Sequence, residues 1–431
     1  METYGKILLI AMPAFLALVL FEKWYGWRKG FDTVRQNDMI SSLSSGITNV
    51  TKDVLGLGIA IISYDWLVDK IAIVHVQATW LVYLIAFIAL DFAGYWVHRI
   101  SHEYNLFWNN HIIHHSSEEY NLACALRQSV SVVVKIFALF LLPAALLGVP
   151  APVIAIVAPL HLFAQFWYHT RHVGKMGVLE KIIVTPSHHR VHHAINPEYL
   201  DKNYGQIFIF WDKLFNTFQA ERADVPAVYG VTRPVHTWNP IKINFMHLGL
   251  LIRDAWHTSR WEDKFRIWFM PLGWRPPDVV AKFPVHKIED VYHFEKYDPT
   301  ISRGLVIWSW VQMTSLLLLT SYLFGHVAQI GSPGIFWYGA IIFLTIYAYT
   351  ELLDKNPHAW IWETIKDLLG LGLIYVQHDW FGLNALLPGG HYAVAAFFIL
   401  SGVMSVWWST RLSDPRRQAL SAHTPGERKN P

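Results

Sequence analysis

An all-α, polytopic membrane helix bundle is the fold class this sequence predicts, and three observations predict it. Apolar residues make up 53% of the 431-residue chain and charged residues only 16%, against about 25% charged in an ordinary soluble domain. Apolar runs approaching the roughly 20 residues that a bilayer core demands recur from one end of the chain to the other. The 21 Trp and 19 Tyr suit aromatic belts at two membrane interfaces. This composition excludes a soluble enzyme, a disordered chain, a coiled coil and a collagen. A single cysteine, Cys124, excludes an internal disulfide framework, a cysteine zinc site and a cysteine-ligated iron–sulfur cluster. The formal net charge of +3 gives no reason to expect a nucleic-acid partner.

The first expected span is Ile7–Phe21, which has the core of a signal peptide but no small-residue cleavage site after it, and so reads as a retained anchor. Spans are next expected at Val54–Trp66 and Ile71–Val97. The long apolar stretch Val130–Trp167 is interrupted by Pro143, Gly148, Pro150 and Pro152 and reads as a hairpin of two spans, because proline stops a helix. Leu305–Phe324 and Phe336–Leu353 follow, then a weaker segment at Ile365–Phe381 that either spans or lies at the interface, and finally Tyr392–Trp408. Residues from about Ser413 are polar and expected to be disordered.

Lys23, Arg28, Lys29 and Arg35 follow the first span, so the positive-inside rule places that loop in the cytoplasm. Counting onward, Arg99, the basic residues between Arg171 and Lys213, and the tail with Arg411, Arg416 and Arg417 fall on the same face. Three blocks result: an N-terminal membrane anchor over 1–97, a polar histidine-bearing region interrupted by the hairpin over 98–300, and a second membrane bundle with a polar tail over 301–431.

Twelve of the 23 histidines lie between His98 and His193. His98 and His102 are four residues apart, hence on one helical face, just past the end of a span. His111, His114 and His115 repeat the three- and four-residue spacing, as do His189, His192 and His193. Imidazole is the commonest metal ligand, and a single zinc site uses only three or four protein ligands. Eight clustered histidines therefore supply about four ligands to each of two metals. His169, at the end of the hairpin, is a ninth candidate. Ligand type alone leaves iron, copper, nickel and zinc open. A lipid substrate with unactivated C–H bonds needs a redox metal with O2, which favours iron. Isolated histidines elsewhere, such as His75 and His326, read as ordinary hydrogen-bonded residues.

Other residues near the clusters read as support. Asp91 lies two helical turns before His98 inside an apolar run, where an ionisable group is costly. It is expected either to hold a ligand imidazole or to bond a neighbouring helix. His188 and Asp212 are expected as further hydrogen-bond partners of the ligands, as His161 and His172 could be, with a capping role open for Asp212. Glu103, Glu118 and Glu119 read as a solvated rim.

The strings His98-Arg-Ile-Ser-His102, His111-Ile-Ile-His114-His115 and His188-His189-Arg-Val-His192-His193 resemble the fatty acid hydroxylase/sterol desaturase superfamily of membrane di-iron enzymes. The longer strings around them, including Ser116-Ser117-Glu118-Glu119-Tyr120-Asn121 and Gln165-Phe166-Trp167-Tyr168-His169-Thr170, resemble its ether-lipid-cleaving, alkylglycerol monooxygenase-like branch, densely from about Asp91 to Phe218. The resemblance implies two Fe held by the eight clustered histidines, activation of O2 and oxygen insertion at the carbon beside an ether oxygen. Collapse of the hemiacetal would then release a fatty aldehyde. It also implies a lipid substrate drawn from the bilayer, with a reduced pterin as one candidate for the electron donor. Arg127 and Gln128 become candidates for head-group contact, with capping or packing equally open. Within the superfamily, sterol desaturase or methyl oxidase and fatty acyl hydroxylase chemistry are the alternatives. Outside it, the alternatives are a histidine-rich metal transporter and, a poorer fit, a haem protein. The expected location is an integral membrane site on the cytoplasmic face, in the bacterial inner membrane or the endoplasmic reticulum according to source.

Overall fold

The computed structural model describes residues 2–412 apart from 61, 133 and 136; the polar tail expected from Ser413, with Arg416 and Arg417, lies outside the described residues. Regular structure in the described chain is helical, save for a two-residue parallel pairing of Ile59–Ala60 with Val134–Lys135 and three isolated bridges. Helix α1 (Glu2–Lys29) is the apolar anchor, ended by Gly30 at φ +68°.

The next helix, α2 (Gln36–Val54), was not visible in the apolar pattern, because serine, asparagine and threonine dominate it. Thirteen of its 19 residues are nonetheless buried. At about 1.5 Å per residue it reaches roughly 28 Å, enough to carry the chain through the bundle. Among the described residues of 55–79 there is no helix long enough to span where Val54–Trp66 was expected. Gly56 and Gly58 interrupt the apolar run, and only a short helix, Tyr64–Ile71, forms, capped by Ser63.

Helix α3 (Trp80–Glu103) starts later than expected and runs past Val97, so the rod itself delivers His98 and His102. The expected hairpin is two short pieces, residues 137–146 and α4 (Ala151–Phe163), neither long enough to cross. They meet at Gly148, whose φ is +63° and where a Cβ would lie 1.8 Å from the Val74 carbonyl oxygen, leaving no room for a side chain. Val153, Ile154 and Val157 of α4 pack on Val82, Ala86 and Leu90 of α3.

Short helix α5 (Pro186–His192) and helix α6 (Pro240–His257) complete the histidine-bearing region. The C-terminal bundle comprises α7 (Arg303–Ile330), α8 (Gly334–Leu353), α9 (Ala359–Gln377) and α10 (Gly390–Leu412). By length and composition α1, α3, α7, α8 and α10 can cross a membrane. Helix α9 carries the buried Glu363, Lys366 and Asp367, which bond to Gln312 of α7 and Ser401 of α10. The first helices and the last share one core: Val19, Ile40 and Leu43 pack with Leu316, Phe324, Tyr338 and Ile342. Helix α2 runs antiparallel to α8, with Ser44 bonded to Tyr349 and Leu55 lying against Gly339.

Candidate metal centre

Three elements bring the histidines together. His98 and His102 stand on the last turns of α3. His111, His114 and His115 stand on a single turn around Ile112–His115, fixed by burial of Ile112 and Ile113 against Val231, Val235 and Ile243. His189, His192 and His193 stand at α5, whose first turn is locked by Pro186 and a capping box on Thr185.

The rings sort into two groups. One holds His98, His102, His111, His115 and His192; the other holds His114, His169, His189 and His193. In the first, Nε2 atoms are 3.0 Å apart for His98 and His111, and 3.1 Å for His111–His115 and His115–His192. In the second they are 3.4 Å apart for His114–His169, 3.0 Å for His169–His189 and 3.1 Å for His189–His193. An ion with bonds of about 2.1 Å to nitrogen sets its ligands roughly 3.0 Å apart at right angles and roughly 3.4 Å apart in a tetrahedron.

The outward nitrogens decide what those contacts are. The Nδ1 atoms of His98, His114, His169 and His192 donate to the carbonyls of Tyr204 (2.8 Å), Arg127 (3.3 Å), Gln165 (3.1 Å) and Lys202 (3.0 Å). Each of these rings therefore carries its proton on Nδ1 and presents a bare lone pair at Nε2. His114 and His169 aim two such lone pairs at each other, which is repulsive without a cation between them. His102 Nε2 is buried and has no hydrogen-bond partner among the described residues. Both features, and a donor set of nine imidazoles, four of them with the second nitrogen tied to a carbonyl, fit transition-metal ligation.

Burial, and then neighbouring imidazoles, drive His111, His115, His169, His189, His192 and His193 well below the ordinary histidine pKa, and burial takes His114 to about 4. The rings are neutral at pH 7, the form that binds metal.

The supporting residues fall differently from expectation. Asp91 holds no clustered imidazole. Its carboxylate accepts from His161 Nε2 (2.9 Å), the backbone N–H groups of Ile207 (2.8 Å) and Phe208 (3.1 Å), and Trp211 Nε1 (2.9 Å), so it anchors a loop and α4 to α3. Asp212 does reach the site, through one peptide. Its Oδ2 accepts from the N–H of Gly205 (2.8 Å), and the carbonyl of that same peptide accepts from His98. His188 caps α5 at Thr185 and touches no other histidine of the site.

Arg127 is fully buried, donating to Asp38 (2.7 Å), Ser116 (2.7 Å) and Ser42 (3.0 Å), so no head group can reach its guanidinium. Gln128 is tied to Ser45 and Ala125 but lines a cavity. His172 packs outside the site against Thr33, Tyr25 and Phe31. Glu119 is no solvated rim: it is buried and paired with Arg35 (2.9 Å) and Lys296 (2.8 Å).

Sequence reasoning missed the carbonyls of Tyr204, Lys202 and Gln165, which carry no side-chain signal. It also missed α2, whose Asn49, Lys52 and Asp53 line the same cavity as Gln128. That cavity, about 370 Å3, reaches His111. A second, of about 320 Å3, lies between α3 and residues 143–147 and is lined by apolar side chains and Trp211.

Residues 83–217 match the model of the fatty acid hydroxylase family. The chain is 34% identical over 404 residues to alkylglycerol monooxygenase of Homo sapiens, covering 93% of this chain and 88% of that protein. It is 31% identical over 417 residues to alkylglycerol monooxygenase of Danio rerio, covering 95% and 90%. Ornithine lipid hydroxylase of Rhizobium tropici is 29% identical over 153 residues, 35% of this chain and 46% of that protein. No solved structure matches. These relatives are lipid-modifying enzymes and none of them is a transporter. With its membrane-crossing helices and paired histidine groups, the chain is an integral membrane, oxygen-using lipid monooxygenase, and it belongs to the fatty acid hydroxylase family as an alkylglycerol monooxygenase-like member.

Proposed function

We propose that the chain cleaves the alkyl ether bond of glycerol lipids, with two irons held by the nine histidines His98, His102, His111, His114, His115, His169, His189, His192 and His193. The observation that supports this most is the separation of those rings into groups of five and four, in each of which one ring nitrogen per histidine lies within 4.8 Å of all the others. Iron bound there supplies the redox chemistry that couples O2 to a C–H bond. The balance is an ether R–CH2–O–R′, O2, two electrons and two protons giving R–CH(OH)–O–R′ and water. The hydroxyl proton then passes to the ether oxygen as the C–O bond breaks, releasing an aldehyde and glycerol. A reduced pterin is the reductant we propose, and the cytoplasm the face.

The chain's own residues hold the imidazoles neutral and aimed. The carbonyls of Tyr204, Arg127, Gln165 and Lys202 fix four tautomers, and Asp212 polarises the peptide behind His98. The Tyr120 ring lies tilted against His193, 5.2 Å between ring centres, and helps close the four-histidine group to water.

Purified protein is expected to hold about two irons per chain, lost in a His114→Ala/His192→Ala variant, and to form aldehyde from alkylglycerol with O2 and a reduced pterin. Protein without iron refutes the centre. Iron-loaded protein that hydroxylates a sterol or acyl chain and leaves alkylglycerol intact refutes the substrate. A cysteine introduced at the exposed Asp224, labelled only from the cytoplasmic side, checks the face.

A further inference from the structure

The cavity that reaches His111 has a mixed lining. Asn49, Lys52 and Asp53 of α2 line it together with apolar side chains such as Ile100, Phe137 and Phe140. Lys52 is only 6% exposed. Its Nζ donates to the Ser129 carbonyl at 3.2 Å and lies 3.6 Å from Asp53 Oδ1. Charged side chains inside a membrane bundle are costly, and they are found where they line a pathway or meet a polar ligand.

We propose that this cavity binds the head of the substrate, with the hydroxyls of a neutral glycerol held by Asn49, Lys52 and Asp53. The inference rests on the ether-lipid reading and deepens it. In an alkylglycerol the carbon to be oxidised is separated from the glycerol by a single oxygen, so head and reacting carbon must share one cavity. Polar side chains lining the cavity that touches His111 meet that requirement, and oxidation far along a chain would ask for an apolar lining there instead. A hydroxyl both donates and accepts, matching a donor and an acceptor side by side. A phosphate would accept from Lys52 but be repelled by Asp53.

The volume of about 370 Å3 holds roughly a dozen non-hydrogen atoms at the ~30 Å3 of a liquid water. That is glycerol, the ether oxygen and a few methylenes. Most of the alkyl chain lies outside, which makes the enzyme selective for the head and tolerant of chain length.

The test uses the full chain in lipid nanodiscs, glyceryl hexadecyl ether as probe, and methyl hexadecyl ether as the analogue without hydroxyls. Wild type is expected to prefer the glyceryl ether in kcat/KM. That preference ratio should fall at least about tenfold in Lys52→Met and in Asn49→Leu, mainly through KM, since each loses a hydrogen bond to the head. Lys52→Arg should restore part of it. Glyceryl ether should raise the thermal unfolding temperature of wild type but not of Lys52→Met, with iron content equal in both. An unchanged ratio in both variants, or equal loss on both ethers with iron retained, overturns the assignment. So does a wild type that prefers the alkyl glycerophosphocholine. Wild type that neither cleaves the glyceryl ether nor is stabilised by it overturns the ether-lipid reading as well.

Discussion

Replacing Arg127 by methionine separates two roles for the same residue. The guanidinium is 1% exposed and donates to Asp38, Ser42 and Ser116, while the backbone carbonyl accepts from His114 Nδ1. Methionine keeps much of the bulk and removes the charge, which strands the Asp38 carboxylate at 1% exposure. Breaking a buried ion pair from one side costs about 3–5 kcal/mol, a large share of a total stability that is usually about 5–15 kcal/mol. Removing the carboxylate as well, in Arg127→Met/Asp38→Leu, leaves no buried charge and should recover about 2 kcal/mol or more of that loss. Equilibrium unfolding in mixed micelles measures both variants, and iron analysis reports whether the four-histidine group loosens when the Arg127 backbone moves. An Arg127→Met protein of ordinary stability whose KM for lipid alone has risen would refute this account and restore the head-group role that the sequence suggested.

Four further outcomes are expected. His169→Ala removes one ligand from the four-histidine group only, so iron should fall from about two per chain toward about one, whereas His188→Gln should keep both; equal losses would contradict the grouping. Asp91→Ala strips four donors of their acceptor and should destabilise the protein by about 3 kcal/mol or more, read by thermal unfolding. Gly148→Ala forces a side chain into a left-handed position against the Val74 carbonyl and should cost at least about 1–2 kcal/mol. In metal-free protein, the folded-state pKa values of seven buried histidines lie below the unfolded value, so the unfolded chain binds more protons. Stability should therefore be lost as pH falls below about 6.5, continuing toward the value of about 4 held by His114, and metal loading should shift the loss to lower pH.

Much of the centre was legible because imidazoles at helical spacing are rare and point one way. The three clusters and His169 converge as expected, and α3, α7, α8 and α10 follow their apolar runs. What escaped notice did so for physical reasons. Helix α2 buries Ser42, Ser44 and Thr48 by bonding them to its own carbonyls and to partners such as Arg127 and Tyr349, so hydropathy is blind to it. Arg127 and Asp91 look alike in sequence, as lone charges near the clusters, and only their partners reveal that both anchor segments of chain. The short pieces at 137–146 and Ala151–Phe163 occupied an apolar run long enough for two spans, because prolines and Gly148 cut it into half-lengths.

The placement of α2 has a consequence for how the protein is made. Its polar flanks suit neither lipid nor the insertion machinery, and the surfaces that accept them include α7 and α8, which leave the ribosome some 250 to 300 residues later. Until then the wall of the cavity cannot be in place beside the histidines. Assembly of this wall is therefore expected to wait for the C-terminal helices, and a chain truncated before them should be degraded faster than the full chain in a pulse-chase measurement.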